Sequence, residues 1–165
     1  MKITRFEDLK CWQEARILVN MVYQAMRNSP GFQKDFRLSG QMTGAAVSSM
    51  SNIAEGFSRR SNKEFVQYLF VSKSSATEVQ SEAYVALDQG YISEETFEKI
   101  YGQAEKVSKI DSGFIIYLLQ HEKQARKLKI PNKPHKLSKP NELDEPDELN
   151  KLSKPNQLNK PRKLE

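Results

Sequence analysis

Glu55 stands one residue before Gly56 in the stretch SNIAEGFSRRSNKEF (51–65), and two arginines, Arg59 and Arg60, follow within five residues. A carboxylate beside paired guanidiniums can be a chemical site, part of a binding surface, or a corner between two helices. The corner reading treats Gly56 as a helix C-cap and Ser61 as the next N-cap, with Asn52 and Glu55 as hydrogen-bonding partners. Glu64, three residues after Ser61, completes a capping box. An acid in the last helical turn faces the negative end of the helix dipole and needs a donor; Arg59 and Arg60 are the nearest. The binding reading takes Arg59, Arg60, Lys63 and Lys73 as a basic patch at a helix N-terminus, where free N–H groups already attract phosphate.

Other catalytic patterns are missing. A di-iron bundle needs Glu-x-x-His pairs, and neither His121 nor His135 has a glutamate three residues before it. GFSRRS (56–61) lacks the Gly-Lys-Ser/Thr of a phosphate loop. Glu55, Glu78 and Glu82 can gather, but lone carboxylates are more often capped or paired structural groups. The tyrosines Tyr68, Tyr84, Tyr91, Tyr101 and Tyr117 read as scattered, with no stacking platform for bases. The expectation is a protein with no catalysis, no metal and no cofactor.

The elements that must position these residues follow from composition and period. The chain has 165 residues, a net charge of +5 and a pI near 9.2, a mild basic balance compatible with a polyanionic partner. The single cysteine, Cys11, forms no intramolecular disulfide and reads as a reduced thiol. The first residues carry charges throughout without the apolar stretch of a signal peptide. The longest apolar run, FIIYLL (114–119), is far short of a membrane span. A soluble, cytoplasmic protein with no membrane partner is expected.

Composition changes near Ile130. Six of the seven prolines and none of the seven glycines lie in 131–165, where KLSKPNELDEPDELN (136–150) is followed by KLSKPNQLNKPRKLE (151–165). Frequent prolines remove backbone donors, and one leucine per hexad cannot build a core. A disordered low-complexity tail is expected at 131–165, after a domain at 1–130.

Within that domain only Pro30 interrupts a helical apolar period. The fold class expected is all-α, an antiparallel up-down four-helix bundle. Helix one starts at Thr4 with a TRFE capping box, Thr4 to Glu7, carries Leu9, Trp12, Ala15, Val19, Val22 and Met26 as its stripe, and stops at NSPG (28–31). Helix two runs from about Lys34 to Glu55 with a buried face of small residues: Gly40, Gly44, Ala45, Ser48, Ser49 and Ala54. Helix three starts at Ser61 and ends at Gly90. Helix four starts at Ser93, with Ile92 and Phe97 as a hydrophobic staple, and frays near 127–129.

Several stretches in this order are specific together: FEDLKCWQEA, Q-x4-A-x-S-x3-SNIAEG, RRSNKEF-x3-L, SSATEVQSEAYVALDQGYIS and EKVSKIDSGFIIYL. Across about residues 5–120 the chain resembles the bacterial four-helix-bundle proteins encoded in 23S rRNA intervening sequences. The resemblance implies a homopentameric ring without known catalysis. It also implies similarity to the accessory protein of diversity-generating retroelements, whose basic ring is associated with nucleic acid and a reverse transcriptase. Relatives often carry Arg or Lys soon after the helix-two glutamine, where this chain has Met42, Thr43 and Gly44, so part of the expected positive charge is missing. Two functions are expected: association with RNA or DNA backbone through Arg59, Arg60, Lys63 and Lys73, or an oligomeric scaffold for a protein partner.

Overall fold

The computed structural model describes residues 3–59 and 61–127. The tail expected to be disordered lies outside them, as does Arg60. The long helices are α1 (Lys10–Asn28), α3 (Phe36–Ser58), α4 (Asn62–Asp88) and α5 (Glu94–Lys127); a short α2 (Pro30–Lys34) lies between α1 and α3, and one 3₁₀ turn (Phe6–Asp8) precedes α1. Packing runs α1–α3–α4–α5 and back to α1, so short connections make sequence neighbours antiparallel around a square. The expected all-α bundle is thus present. Each helix contributes to one core, with Leu18, Met42, Ile53, Leu69, Ile100 and Leu118 among its fully buried members.

Caps account for most boundaries. Ser61 Oγ accepts from Glu64 N (3.2 Å), the N-cap half of the expected capping box, while the Glu64 carboxylate takes the Ser61 hydroxyl (2.7 Å) in place of the Ser61 backbone N–H. Gly90 has φ +68°, and Tyr91 N returns to Ala86 O (2.9 Å) beside it, so the left-handed stop after α4 is as expected. Ser93 Oγ accepts from Thr96 N (3.2 Å) at the head of α5.

Four expectations are corrected. Helix one does not start at Thr4, and its capping acid is not Glu7. Asp8 Oδ2 accepts from Thr4 N (3.1 Å) and Arg5 N (3.3 Å), while Glu7 pairs with Arg5. Leu9 is extended (φ −75°, ψ 126°) and deeply buried, which separates the 3₁₀ turn from α1.

Helix two starts at Phe36, because NSPG opens α2 as well as closing α1. Ser29 Oγ accepts from Phe32 N (3.3 Å), Pro30 occupies the first turn, and Asp35 Oδ1 then caps α3 through Leu38 N (3.0 Å). Phe32 is fully buried and stacks on Tyr91 (5.7 Å between ring centroids).

Gly40 and Gly44 are not buried: both are exposed, with open space where a Cβ would stand. The inner face of α3 is Leu38, Ser39, Met42, Ala45, Ala46, Ser49, Ile53 and Gly56. Gly56 is therefore no C-cap. The helix runs on to Ser58, and a Cβ at 56 would lie 2.5 Å from Phe65 Cδ2 and 2.7 Å from Tyr68 Cβ. Its missing side chain lets α4 approach rather than letting the chain turn.

Candidate functional site

The corner between α3 and α4 holds part of the expected arrangement. Glu55 Oε1 accepts from Tyr68 OH (2.9 Å) and pairs with Arg59, whose guanidinium also donates to Tyr68 OH and lies 4.8 Å from the Tyr68 ring centroid. The bond to Glu55 raises the Tyr68 phenol pKa. Glu55 thus has the donor it needs, supplied by Arg59 and by a tyrosine that sequence reasoning did not connect to it.

Asn52 turns away from this corner: its Nδ2 donates to Ser48 O (2.8 Å) and Ser48 Oγ (3.1 Å). Of the four cations read as a phosphate patch, Arg59 is engaged, Lys63 is exposed, and Lys73 is half-buried. Lys63 and Lys73 are ten residues apart on α4, about 15 Å along its axis. They do not converge on one anion.

The bundle interior holds polar groups with no counterpart in the expected site. Cys11 of α1, Ser49 of α3, Ser72 of α4 and Asp111 of α5 are all buried. Ser72 Oγ donates to Asp111 Oδ2 (2.6 Å) and lies 3.1 Å from Ser49 Oγ. Asp111 is 0 % exposed and its Oδ1 has no hydrogen-bond partner. Burial raises its pKa to about 7, against the opposing pull of Ser72 and Lys73. Burial, then the Asp111 charge, pushes the Cys11 thiol up as well, so it is held as a packed thiol rather than a nucleophile.

Glu14, 1 % exposed, is the opposite case. Burial works against its charge but is outweighed by Lys10 (2.7 Å), Gln103 Nε2 (2.8 Å) and Lys106 (2.9 Å), which hold its pKa near 2. It ties α1 to α5. A third acid, Glu82, is 9 % exposed with a partnerless Oε2; burial and then neighbouring Glu78 raise its pKa to about 7. Glu78 and Glu82 therefore do gather, whereas Glu55 belongs to the corner, about three to four helical turns away. The sequence signal for all three buried acids was their place inside apolar stripes.

The tyrosines are not all scattered. Tyr84, Phe97 and Tyr101 form one cluster across α4 and α5, with ring centroids 4.7–5.7 Å apart. Gln80 and the acids Glu98 and Glu105 lie nearby in sequence, and Glu105 contributes to raising the Tyr101 pKa after burial and Tyr84. That acidic setting does not suit a phosphodiester. A cleft of about 340 Å³ between the end of α1 and the start of α5 is lined by Met21, Asn28, Tyr91, Ser93 and Lys99. Among the described residues, no three His, Cys, Asp or Glu side chains group as a metal site, and no helix is long and apolar enough to cross a membrane.

The outer face of α3 is the least ordinary surface. From Leu38 to Ser58 it has one charged residue, Glu55, already engaged with Arg59. Phe36 at its start is 83 % exposed; Gly40, Gly44 and Ser51 follow on that side, with the exposed Val71 and Val85 on the adjoining α4. Solvent-facing helix surfaces usually carry charged and long polar residues.

The fold has a solved counterpart. A protein of unknown function from the S23 ribosomal protein family of Bacteroides thetaiotaomicron, determined by crystallography, superposes with a TM-score of 0.58 at 21% identity, covering 64% of this chain and 97% of that one. No curated protein matches. The model of the 23S rRNA-intervening sequence proteins matches residues 7–113, from within the 3₁₀ turn through α1, α3 and α4 into α5. The chain belongs to the 23S rRNA-intervening sequence protein family.

Proposed function

We propose that the protein is a non-enzymatic helical scaffold that assembles with copies of itself through the outer face of α3 and the adjoining surface of α4. The observation that carries this reading is the near absence of charge on α3 from Leu38 to Ser58, beside exposed Phe36, Val71 and Val85. Exposed apolar residues along a face with little charge commonly mark a protein contact. Open space at Gly40 and Gly44 lets another backbone come close. Five copies is the number the sequence resemblance implies. Sedimentation equilibrium on the full chain tests the reading: a defined oligomer is expected, and a monomer at about 50 μM refutes it. Gly44→Lys places a charge in the open space without a clash inside the subunit, so it should keep the fold and lose assembly.

The second reading is association with RNA or DNA backbone, and exposed Lys63 in the first turn of α4 favours it. Arg59, Arg60 and Lys73 would add charge along an assembled ring. Affinity should then fall steeply with salt. Absence of binding at about 50 mM salt, or binding unchanged in an Arg59→Ala, Arg60→Ala variant, removes this reading. A reverse transcriptase as partner rests on the sequence resemblance alone.

A further inference from the structure

Tyr68, Ser75 and Glu82 lie seven residues apart on α4, a spacing that keeps them on one side of the helix. The first two reach across to α3: Tyr68 OH donates to Glu55 and Ser75 Oγ donates to Ser48 Oγ (3.0 Å). Glu82 continues the row, and its Oε2 meets no partner. These bonds also set the antiparallel register, 55 opposite 68 and 48 opposite 75. By that register Gly40 and Gly44 fall within one residue of the levels of Glu82 and Glu78. The upper α3–α4 seam thus carries two carboxylates along α4 and two open glycine positions along α3. Arg37, one turn before Gln41 on α3, makes no ion pair with either carboxylate among the described residues.

The α1 corner is cationic where the upper α3–α4 seam carries Glu78 and Glu82. α1 and α4 are diagonal in the square, each packed on α3 and α5. The outward residues of α1 are Lys10, Gln13, Arg16, Ile17, Asn20, Gln24 and Arg27, all exposed and without an acid among them. Lys10 is held by Glu14. Arg16 stacks at 5.8 Å from the Trp12 ring centroid and adjoins Ile17, which is 45 % exposed. If the α3–α4 face met itself, carboxylates would meet carboxylates. Contact between unlike faces pairs charge with countercharge and apolar with apolar. Such head-to-tail contacts close into rings when the rotation permits.

We propose that Glu82 is a socket for Arg16 of a second copy of this chain, so that copies join the α3–α4 seam of one to the α1 ridge of the next. This rests on the assembly reading above and adds which faces meet. Glu82 is 9 % exposed and its Oε2 is closed to solvent, so the pair forms when the side chain turns outward and gains the charge-assisted partner it lacks within the subunit.

The test is a charge swap on the full chain, read by sedimentation velocity across a concentration series. Glu82→Arg and Arg16→Glu should each weaken association by about tenfold or more, and the double swap should recover it to within a few-fold of wild type. Glu82→Gln keeps the side-chain shape and removes only the charge, so it should weaken association with an unchanged helical signal, even if Glu82→Arg fails to fold. Association unchanged in Glu82→Gln and Arg16→Glu overturns the proposal. So does a folded double swap that does not recover. A wild-type chain that is monomeric throughout overturns the assembly reading and this one together. Wild-type assembly indifferent to all four variants overturns this one alone.

Discussion

Replacing Asp111 by asparagine removes a charge from the middle of the bundle, and the consequence can be worked from its surroundings. The folded pKa is raised from 3.8 to about 7, mainly by burial. A group bound more tightly to its proton in the folded state stabilises the fold most at pH below its unfolded value, and that stability is lost as pH rises through the folded one. From 3.8 to 7, at about 1.4 kcal/mol per tenfold change, the total is about 4 kcal/mol, of which about 3 kcal/mol falls between pH 5 and pH 8.5. The asparagine would keep a carbonyl for the Ser72 bond, but it places an amide where Oδ1 has no partner, costing about 1–3 kcal/mol at every pH. The variant should therefore be near or below wild type at pH 5 and above it at pH 8.5. Urea unfolding followed by circular dichroism at half-unit pH steps measures the gap. Glu82 also titrates near 7, but it lies ten residues along α4 from the level of Asp111, about 15 Å, and its contribution cancels in the difference. A gap that stays constant from pH 5 to 8.5 would refute the idea that Asp111 is ionised at a cost inside the fold.

Glu14→Ala removes the carboxylate held by Lys10 and Lys106 and one of the two Gln103 bonds, and should lower stability at pH 7 by about 2–3 kcal/mol in urea unfolding. Because its folded pKa is depressed to about 2, the wild-type advantage is present above pH 4.5 and should vanish as pH falls toward 2. Gly56→Ala gains about 1 kcal/mol in helix propensity but meets Phe65 and Tyr68 within 2.7 Å, so a net loss of about 1–3 kcal/mol is expected by thermal melting. Gly40→Ala meets nothing and should raise the melting temperature of the isolated subunit by a few degrees. Ser61→Ala removes the cap bonds to Glu64 and should cost about 1 kcal/mol, with earlier hydrogen exchange at the start of α4.

Caps were legible in the chain because they are local. Ser61, Gly90 and Ser93 act within a few residues, and their chemistry does not depend on what packs against them. Which side of α3 faces inward was less so. Small residues recur every three to four positions on both sides of that helix, and side-chain size does not tell a close approach from an exposed surface. Leu38, Met42 and Ile53 settle it, since all three share the face opposite Gly40 and Gly44. Gly56 fits a helix stop or a close contact equally well, because both need a missing Cβ; only the position of Phe65 separates them. The corner failed in part for a similar reason. Tyr68 lies 13 residues after Glu55, and nothing local announces that α4 brings it back.

The two seams of the bundle are joined by different physics. α1 meets α5 through Glu14, whose cations Lys10 and Lys106 are more than half exposed and therefore open to screening by salt. Apart from the Glu55–Arg59–Tyr68 corner, α3 meets α4 through uncharged groups: Ser48 with Ser75, Ser49 with Ser72, and a glycine that admits Phe65. Neutral hydrogen bonds between short side chains specify register without the desolvation cost of an ion pair. They also bring the two backbones close and leave no long side chains to project outward. The uncharged outer face of α3 is thus linked to how the seam beneath it is built. Serines and glycines hold the register inside and leave a shallow surface outside, while the charges that keep a helix in water sit on α1, α4 and α5. A chain that stayed monomeric would gain nothing from keeping Phe36, Val71 and Val85 exposed along that seam. The proposed contact with the α1 ridge of another copy would cover this surface and set its Arg16 against Glu82.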